Sequence, residues 1–83
     1  MSKSLHSKEN QALTAWLKKR REASGLTMRQ LASIMGVQHT FVSKVEQRER
    51  RLDVVEYLLY CRALGVSAEE GLMFIQKLEK ELI

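Results

Sequence analysis

The chain has 83 residues, of which 45% are hydrophobic and 29% charged, and it contains no proline. This length allows one small domain with a modest core and excludes two domains. A single cysteine, Cys61, excludes an intramolecular disulfide and fits a reducing compartment. The start of the chain has no apolar signal core and the apolar runs are too short to span a bilayer, so a cytoplasmic protein is expected.

The positive charge is concentrated in the first part of the chain. Residues 1–51 contain 11 lysines or arginines and four glutamates, whereas residues 52–83 contain three basic and six acidic residues. A basic region of this kind can bind a polyanionic partner, either nucleic acid or an acidic membrane surface. A solvated basic surface is the alternative, and charge alone favours this alternative.

Capping signals predict the first two helices. Ser7 can cap a helix that runs to about Ser24, where a glycine follows at a position suited to a left-handed terminus. The capping-box pattern T-M-R-Q, Thr27–Gln30, opens a short second helix. Gly36 ends that helix.

The rest of the chain predicts three more helices. Val37–Glu46 forms the third, with Phe41, Val42 and Val45 in one arc and polar residues opposite. The capping box Asp53–Glu56 opens a fourth helix, which is apolar on almost every side and is therefore expected to be the buried central helix. Ser67–Glu70 repeats the signal for a fifth helix that runs to the C-terminus.

These elements contain no strand pattern, so the predicted fold class is all-α with five helices. We expect residues 1–7 to be a flexible N-terminal segment and residues 8–83 to form a single domain, in which 67–83 is the C-terminal helix. The second and third helices have the spacing of a helix-turn-helix. Ala32 lets them cross closely, and Gly36 can adopt the positive φ of the turn. An ordinary αα-hairpin is the alternative.

Between roughly Ala12 and Leu72 the chain resembles the Cro and phage-repressor-like helix-turn-helix domains, often called the XRE family. The resemblance lies in L-K-K-R-R-E-A-S-G-L-T-M-R-Q-L-A, G-V-Q-H-T-F-V-S-K-V-E, R-R-L-D-V-V-E-Y-L and C-R-A-L-G-V. It implies a five-helix, lambda-repressor-like DNA-binding domain that is usually dimeric. It also implies that the third helix enters the DNA major groove.

By this resemblance the outer face of the third helix reads bases. Glutamine can bind adenine in a bidentate pair, lysine can donate to guanine, and hydroxyl groups can bind a base edge or a phosphate. The histidine can donate to guanine N7 or to a phosphate, or can simply be solvated. The predicted base-reading residues are Gln38, His39, Thr40, Ser43 and Lys44.

Phosphate contacts are expected on both sides of this face. The N-terminus of the second helix presents free N–H groups and a partial positive charge, to which an arginine adds a full charge. In the family, the connector after the third helix runs along the flanking phosphates. The predicted phosphate contacts are Thr27, Arg29, Gln47, Arg48, Arg50 and Arg51. Relatives commonly have glycine at the place of Arg48, so either the third helix runs longer here or the connector is tighter.

A structural ion pair is predicted between Arg21 and Glu46. Glu46 lies at the edge of the buried arc of the third helix, where a carboxylate needs a partner. In similar domains the arginine at the place of Arg21 pairs with this glutamate and joins the first helix to the recognition helix. Arg20 stands where the family usually has an apolar residue, so its charged head is expected to reach the solvent.

The fifth helix is apolar over about half of its circumference, which is more than a small core requires. This surplus predicts a homodimer contact through this helix and part of the fourth. Such a dimer places two recognition helices roughly 34 Å apart on an inverted-repeat operator. The alternative is that the surplus covers the domain's own core or Trp16. The predicted interface residues are Leu72, Phe74, Ile75, Leu78 and Leu82.

The sequence offers no metal-ligand spacing, catalytic set or glycine-rich phosphate loop. We therefore expect no enzymatic activity, cofactor, metal or small-molecule ligand. One hypothesis is a sequence-specific transcriptional regulator that binds double-stranded DNA as a homodimer. The other is an antitoxin-like or adaptor module that binds a partner protein through the fifth helix. The basic region and the polar face of the third helix favour the regulator.

Overall fold

The computed structural model describes residues 7–82, with side chains up to residue 79. Within this range the chain forms five helices and no strand, which confirms the predicted all-α fold. Residues 1–6 of the segment predicted to be flexible, the side chain of Leu82 and residue Ile83 lie outside the description. The helices are α1 Lys8–Ala23, α2 Met28–Met35, α3 His39–Glu46, α4 Val54–Leu64 and α5 Ala68–Leu82.

Side-chain caps begin these helices where the sequence predicts them. The hydroxyl of Ser7 accepts the N–H of the third residue of α1 at 3.1 Å. At α2, Thr27 and Gln30 exchange two hydrogen bonds of 2.9 and 3.1 Å between side chain and backbone. Asp53 and Glu56 form the same reciprocal box at α4, at 3.0 and 2.7 Å. Each box satisfies two N–H groups that a helix start leaves without an intrahelical partner.

The turn between α2 and α3 is short because Gly36 adopts φ 75°, the left-handed conformation that costs a residue with a Cβ. The N–H of Val37 then donates to the carbonyl of Ala32 at 3.0 Å and closes the end of α2. Ala32 is buried between the helices. This arrangement is the predicted helix-turn-helix.

The core lies where α2 and α3 pack against α1 and α4. Its fully buried large side chains are Leu17, Leu31, Val42, Tyr60 and Cys61. Burial raises the pKa of the Cys61 thiol, so the cysteine behaves as a small core residue. No helix among residues 7–82 is long and apolar enough to cross a membrane.

The expectation that the fourth helix is the buried central helix holds for one of its faces only. Only one face of α4 is buried, through Tyr57, Tyr60, Cys61 and Leu64. On its other face Val54 and Val55 are 75% and 74% exposed, and Leu58 and Leu59 are also exposed. The described helices cover α4 from one side only, since α1, α2 and α5 all pack against its inner face.

Helix α5 crosses the rest of the domain closely at Gly71, which is buried. A Cβ at this position would collide with the hydroxyl of Tyr57 and approach the Trp16 ring to 2.7 Å. The Tyr57 hydroxyl itself donates to the carbonyl of Ala68 at 2.6 Å, so it is held in place. The missing side chain of Gly71 therefore sets how near α5 lies to α1 and α4.

Candidate nucleic-acid interface

The outer face of α3 collects the five side chains predicted to read bases. Gln38 precedes the helix with extended backbone angles, φ −74° and ψ 151°, and its side chain makes no capping hydrogen bond. Gln38, His39, Thr40 and Lys44 are exposed, and Ser43 is half-buried. Their donors and acceptors are not engaged with other described residues. A helix face of this kind can present hydrogen-bonding groups to the edges of base pairs.

The start of α2 lies on one side of the recognition helix α3 in the helix-turn-helix. Its capping box occupies the N–H groups of Thr27 and Gln30. Met28 and Arg29 lie between these two residues in the sequence. Their N–H groups have no carbonyl within reach in their own helix and point out of its N-terminus. With the exposed guanidinium of Arg29, they place hydrogen-bond donors and a positive charge at one helix end, which is chemically suited to a phosphate.

The connector turns sharply after α3, which resolves the alternatives for Arg48. Helix α3 ends at Glu46, and Arg48 adopts the left-handed φ of 61°. The N–H of Glu49 donates to the carbonyl of Lys44 at 2.8 Å, and the N–H of Arg48 to that of Val45 at 3.0 Å. These two bonds form a Schellman motif, which favours glycine at the left-handed position. The helix is therefore not extended, and an arginine occupies the glycine position.

Two substitutions of Arg48 should separate the effect of backbone strain on stability from the effect of the lost charge. Arg48→Ala and Arg48→Gly both remove the guanidinium, but only glycine relieves the positive φ. We expect the glycine variant to be more stable than the alanine variant by about 1 kcal/mol. Urea unfolding monitored by circular dichroism measures this difference. If alanine were the more stable substitute, the left-handed conformation would not be the one present in solution.

Arg50, predicted to contact phosphate, is held by residues of its own chain. It donates from Nη2 and Nη1 to the two carboxylate oxygens of Glu56 at 2.7 and 2.9 Å, and from Nη1 to the carbonyl of Arg51 at 3.0 Å. Its guanidinium carbon lies 4.6 Å from the centre of the Phe41 ring. Arg50 lowers the pKa of the Glu56 carboxyl through these hydrogen bonds, and the N–H of Asp53 adds to the effect. Of the remaining predicted phosphate contacts on the connector, Gln47 and Arg51 are exposed and Arg48 is half-buried.

The predicted pair between Arg21 and Glu46 is present. Arg21 donates from Nε and Nη2 to the two carboxylate oxygens of Glu46 at 2.6 and 3.0 Å, and from Nη1 to the carbonyl of Leu26 at 2.7 Å. The side chains are only 11% and 6% exposed. Donation of these hydrogen bonds to Glu46 raises the pKa of Arg21 further, so the arginine stays charged. This pair joins α1, the loop before α2 and the recognition helix.

Arg20 reaches the surface, as expected, and packs along α5. It lies 5.6 Å from the centre of the Trp16 ring and donates to Glu70 at 2.9 Å. Both partners of this ion pair are about half exposed, so it contributes little to stability. Arg20 and Arg21 therefore have partners within the domain.

The residues predicted at the dimer interface do not all lie on one exposed surface. Leu72 and Phe74 are exposed, whereas Ile75 and Leu78 are half-buried. Phe74 also lines an open groove of about 440 Å³ with Trp16. Sequence reasoning gave less weight to the exposed face of α4. Its apolar composition around nearly the whole helix led us to expect a buried central helix, with only part of it at the dimer contact.

Among residues 7–82, no three His, Cys, Asp or Glu side chains are close enough to hold a metal ion. The candidate site consists instead of a helix-turn-helix, a polar outer face on α3, a helix N-terminus with an exposed arginine and a basic connector. This combination defines a helix-turn-helix DNA-binding domain.

Comparison with known proteins supports this class. The model of a helix-turn-helix family matches residues 17–71. The chain belongs to the Cro and phage-repressor-like helix-turn-helix proteins, the XRE family, as the resemblance predicted. It is a DNA-binding transcriptional regulator, and regulators of this family are generally not enzymes.

Solved structures show the same fold. An XRE-family like protein from Pseudomonas syringae pv. tomato is 38% identical with a TM-score of 0.80, covering 84% of this chain and 85% of that one. The clp gene regulator ClgR from Corynebacterium glutamicum is 26% identical with a TM-score of 0.76, covering 87% and 94%. The restriction-modification controller C.AhdI from Aeromonas hydrophila is 26% identical with a TM-score of 0.73, covering 78% and 98%. No curated protein matches the sequence.

Proposed function

We propose that the protein is a cytoplasmic regulator that binds a specific inverted-repeat operator in double-stranded DNA as a homodimer. The observation that carries the proposal is the outer face of α3. Its five polar side chains are directed away from the core and are not engaged with other described residues. Solved relatives include a clp gene regulator and a restriction-modification controller, which supports a role in gene control.

In this proposal the five side chains of α3 share the reading of bases. Gln38 pairs with adenine and Lys44 with guanine, while His39, Thr40 and Ser43 contact base edges or nearby phosphates. The flanking backbone is held by the end of α2 and by the connector. The phosphate contacts we propose are Thr27, Arg29, Gln47, Arg48 and Arg51.

The experiment that tests base reading is selection of bound duplexes from a random DNA pool. We expect enrichment of an inverted repeat, whose affinity for the protein falls steeply as salt is raised. Lys44→Ala should relax the preference at one position of each half-site, a loss of roughly 1–3 kcal/mol of discrimination. Lys77→Ala removes the same charge from an exposed position of α5 and should leave the base preference unchanged.

Weak binding without sequence preference would contradict the proposal. The exposed apolar surface would then favour the other hypothesis, an adaptor or antitoxin-like module that binds a partner protein.

The dimer is supported by exposed apolar side chains on two helices. One face of α4 carries Val54, Val55, Leu58 and Leu59, and α5 adds Leu72. Soluble monomers rarely leave a large contiguous apolar patch in water. We propose that this face of α4, together with α5, packs against the same surface of a second copy, with α4 contributing more than the sequence indicated.

A charge placed on this face should dissociate the dimer. Val55→Lys changes a side chain that is 74% exposed, so the fold of each subunit should be retained. We expect light scattering at tens of micromolar to give a dimer mass for the parent and a monomer mass for Val55→Lys. Ala15→Lys introduces the same charge at an exposed position of α1 and should remain dimeric. A monomeric parent, or a dimeric Val55→Lys variant, would contradict this interface.

A further inference from the structure

Three side chains form a cluster between the recognition helix and α4. The guanidinium of Arg50 is bound in parallel by both oxygens of Glu56, at 2.7 and 2.9 Å. Its carbon lies 4.6 Å from the centre of the Phe41 ring. Arginine makes both contacts at once because its planar fork matches a carboxylate while its face stacks on an aromatic ring.

Each partner of Arg50 is fixed by a further contact. Glu56 Oε1 also accepts the N–H of Asp53 at 3.0 Å, as part of the capping box that begins α4. Phe41 packs partly buried against the core, next to the fully buried Val42. The cluster therefore connects the first turn of α3, which carries the predicted base-reading residues His39 and Thr40, to the first turn of α4.

The same contacts make Arg50 a weaker phosphate ligand. Its positive charge is already balanced by a carboxylate at 2.7 Å, and Nη1 also donates to the carbonyl of Arg51. The salt dependence of DNA binding reports the cations that neutralise phosphates. A paired arginine adds less to this dependence than an unpaired one.

We propose that Arg50 is a positioning residue. By pairing with Glu56 and stacking on Phe41, it holds the first turn of the recognition helix at a fixed angle to α4. Base discrimination at the positions facing that turn therefore depends on Arg50, although its side chain need not touch DNA. This inference rests on the proposed function, since it presupposes that α3 reads bases.

The test compares Arg50→Ala and Arg50→Lys with the parent protein. Affinity is measured for the selected duplex and for a scrambled duplex of equal length, over a series of salt concentrations. We expect the ratio of the two affinities to fall about tenfold in both variants, the loss that follows when one base contact is weakened. The Arg50→Lys variant should not recover the affinity ratio of the parent, because lysine lacks the planar guanidinium that pairs with Glu56 and stacks on Phe41. The slope of log affinity against log salt should change by much less than it does when an unpaired phosphate-binding arginine is removed.

Arg29→Ala is the matched control for a phosphate contact. It removes an exposed arginine at the start of α2 of each subunit and should reduce the salt slope of the dimer by about two, one for each lost phosphate contact, with little change in the affinity ratio. If Arg50→Ala followed this pattern and Arg50→Lys restored affinity, Arg50 would be a phosphate ligand and the proposal would be overturned. A lower melting temperature with an unchanged affinity ratio would also overturn it, since the cluster would then stabilise the fold without affecting recognition.

Phe41→Leu provides a second variant in case Arg50→Ala does not fold. It retains the ion pair and the apolar bulk but removes the ring on which the guanidinium stacks. We expect the ratio of the affinities for the selected and the scrambled duplex to fall, with an unchanged salt slope. An unchanged ratio would overturn the proposal. If the parent protein bound both duplexes equally well, the proposed function itself would be wrong. This result would be known before any variant was measured.

Discussion

Glu46→Ala is expected to lower the free energy of unfolding by about 3 kcal/mol, near the lower end of the range for breaking a buried ion pair. The loss arises because the Arg21 guanidinium, 11% exposed, would remain charged without its carboxylate. Its hydrogen bond to the carbonyl of Leu26 would persist, which keeps the effect from being larger. Urea unfolding monitored by circular dichroism measures the change.

Two further variants distinguish the charge from the hydrogen bonds. Glu46→Gln keeps one acceptor for Arg21 and should be less destabilising than Glu46→Ala. The double variant Arg21→Leu/Glu46→Leu removes both charges and should be more stable than Glu46→Ala alone, since no unpaired buried charge remains. We also expect Glu46→Ala to weaken DNA binding, because the pair joins α1 to the recognition helix. A variant that kept both the melting temperature and the DNA affinity of the parent would refute this role.

The starts of the helices with side-chain caps could be predicted because their determinants are local, whereas α3, predicted from Val37, begins at His39 and has no side-chain cap. A capping box needs only a polar residue and a glutamate or glutamine three positions later, as at Thr27 and Asp53. Gly36 likewise ends α2 through its own backbone conformation. The Arg21–Glu46 pair required more than local sequence: the position of Glu46 at the edge of the buried arc indicated a missing partner, and only the family resemblance identified it as Arg21.

The cluster at Arg50 could not be predicted from spacing. Rules for side-chain pairs apply within a regular helix, where residues three or four apart are neighbours. Arg50 and Glu56 are separated by an irregular connector whose path depends on the left-handed backbone of Arg48. The stacking on Phe41 depends on the same path. For these reasons sequence analysis placed Arg50 with the phosphate contacts, whereas the structure shows it between two helices.

The burial of α4 failed as a prediction for a different reason. The sequence shows that a side chain is apolar, but it does not show whether that side chain packs in the core or lies at a contact with another molecule. Val54 and Val55 are exposed, whereas the residues of α4 that are buried, Tyr57, Tyr60, Cys61 and Leu64, lie on its opposite face. Within residues 7–82 no further helix covers the second face of α4. Its apolar residues are therefore also compatible with contact to a second molecule, as proposed above.

The second large effect on stability is expected for Gly71→Ala. Whether this variant is less or more stable than the parent tells whether the close crossing of α5 limits stability. At an ordinary exposed position within a helix, replacing glycine with alanine stabilises by roughly 0.5–1 kcal/mol. At Gly71 the new methyl group would collide with the Tyr57 hydroxyl and lie 2.7 Å from the Trp16 ring. Overpacking of this kind costs typically 1–3 kcal/mol. Because both neighbours are held within the packing of three helices, we expect Gly71→Ala to be destabilising overall.

Tyr57→Phe tests whether the collision is the cause, since it removes the atom closest to the added methyl group. Alone it should be mildly destabilising, because it loses the hydrogen bond to the carbonyl of Ala68. In the background of Gly71→Ala it should be less destabilising or even stabilising, so the two changes should not be additive. Trp16 fluorescence should shift in Gly71→Ala, because α5 must move away from α1 to admit the methyl group. A stabilised Gly71→Ala variant would show that α5 can move without loss, and that the close crossing does not limit the stability of the domain.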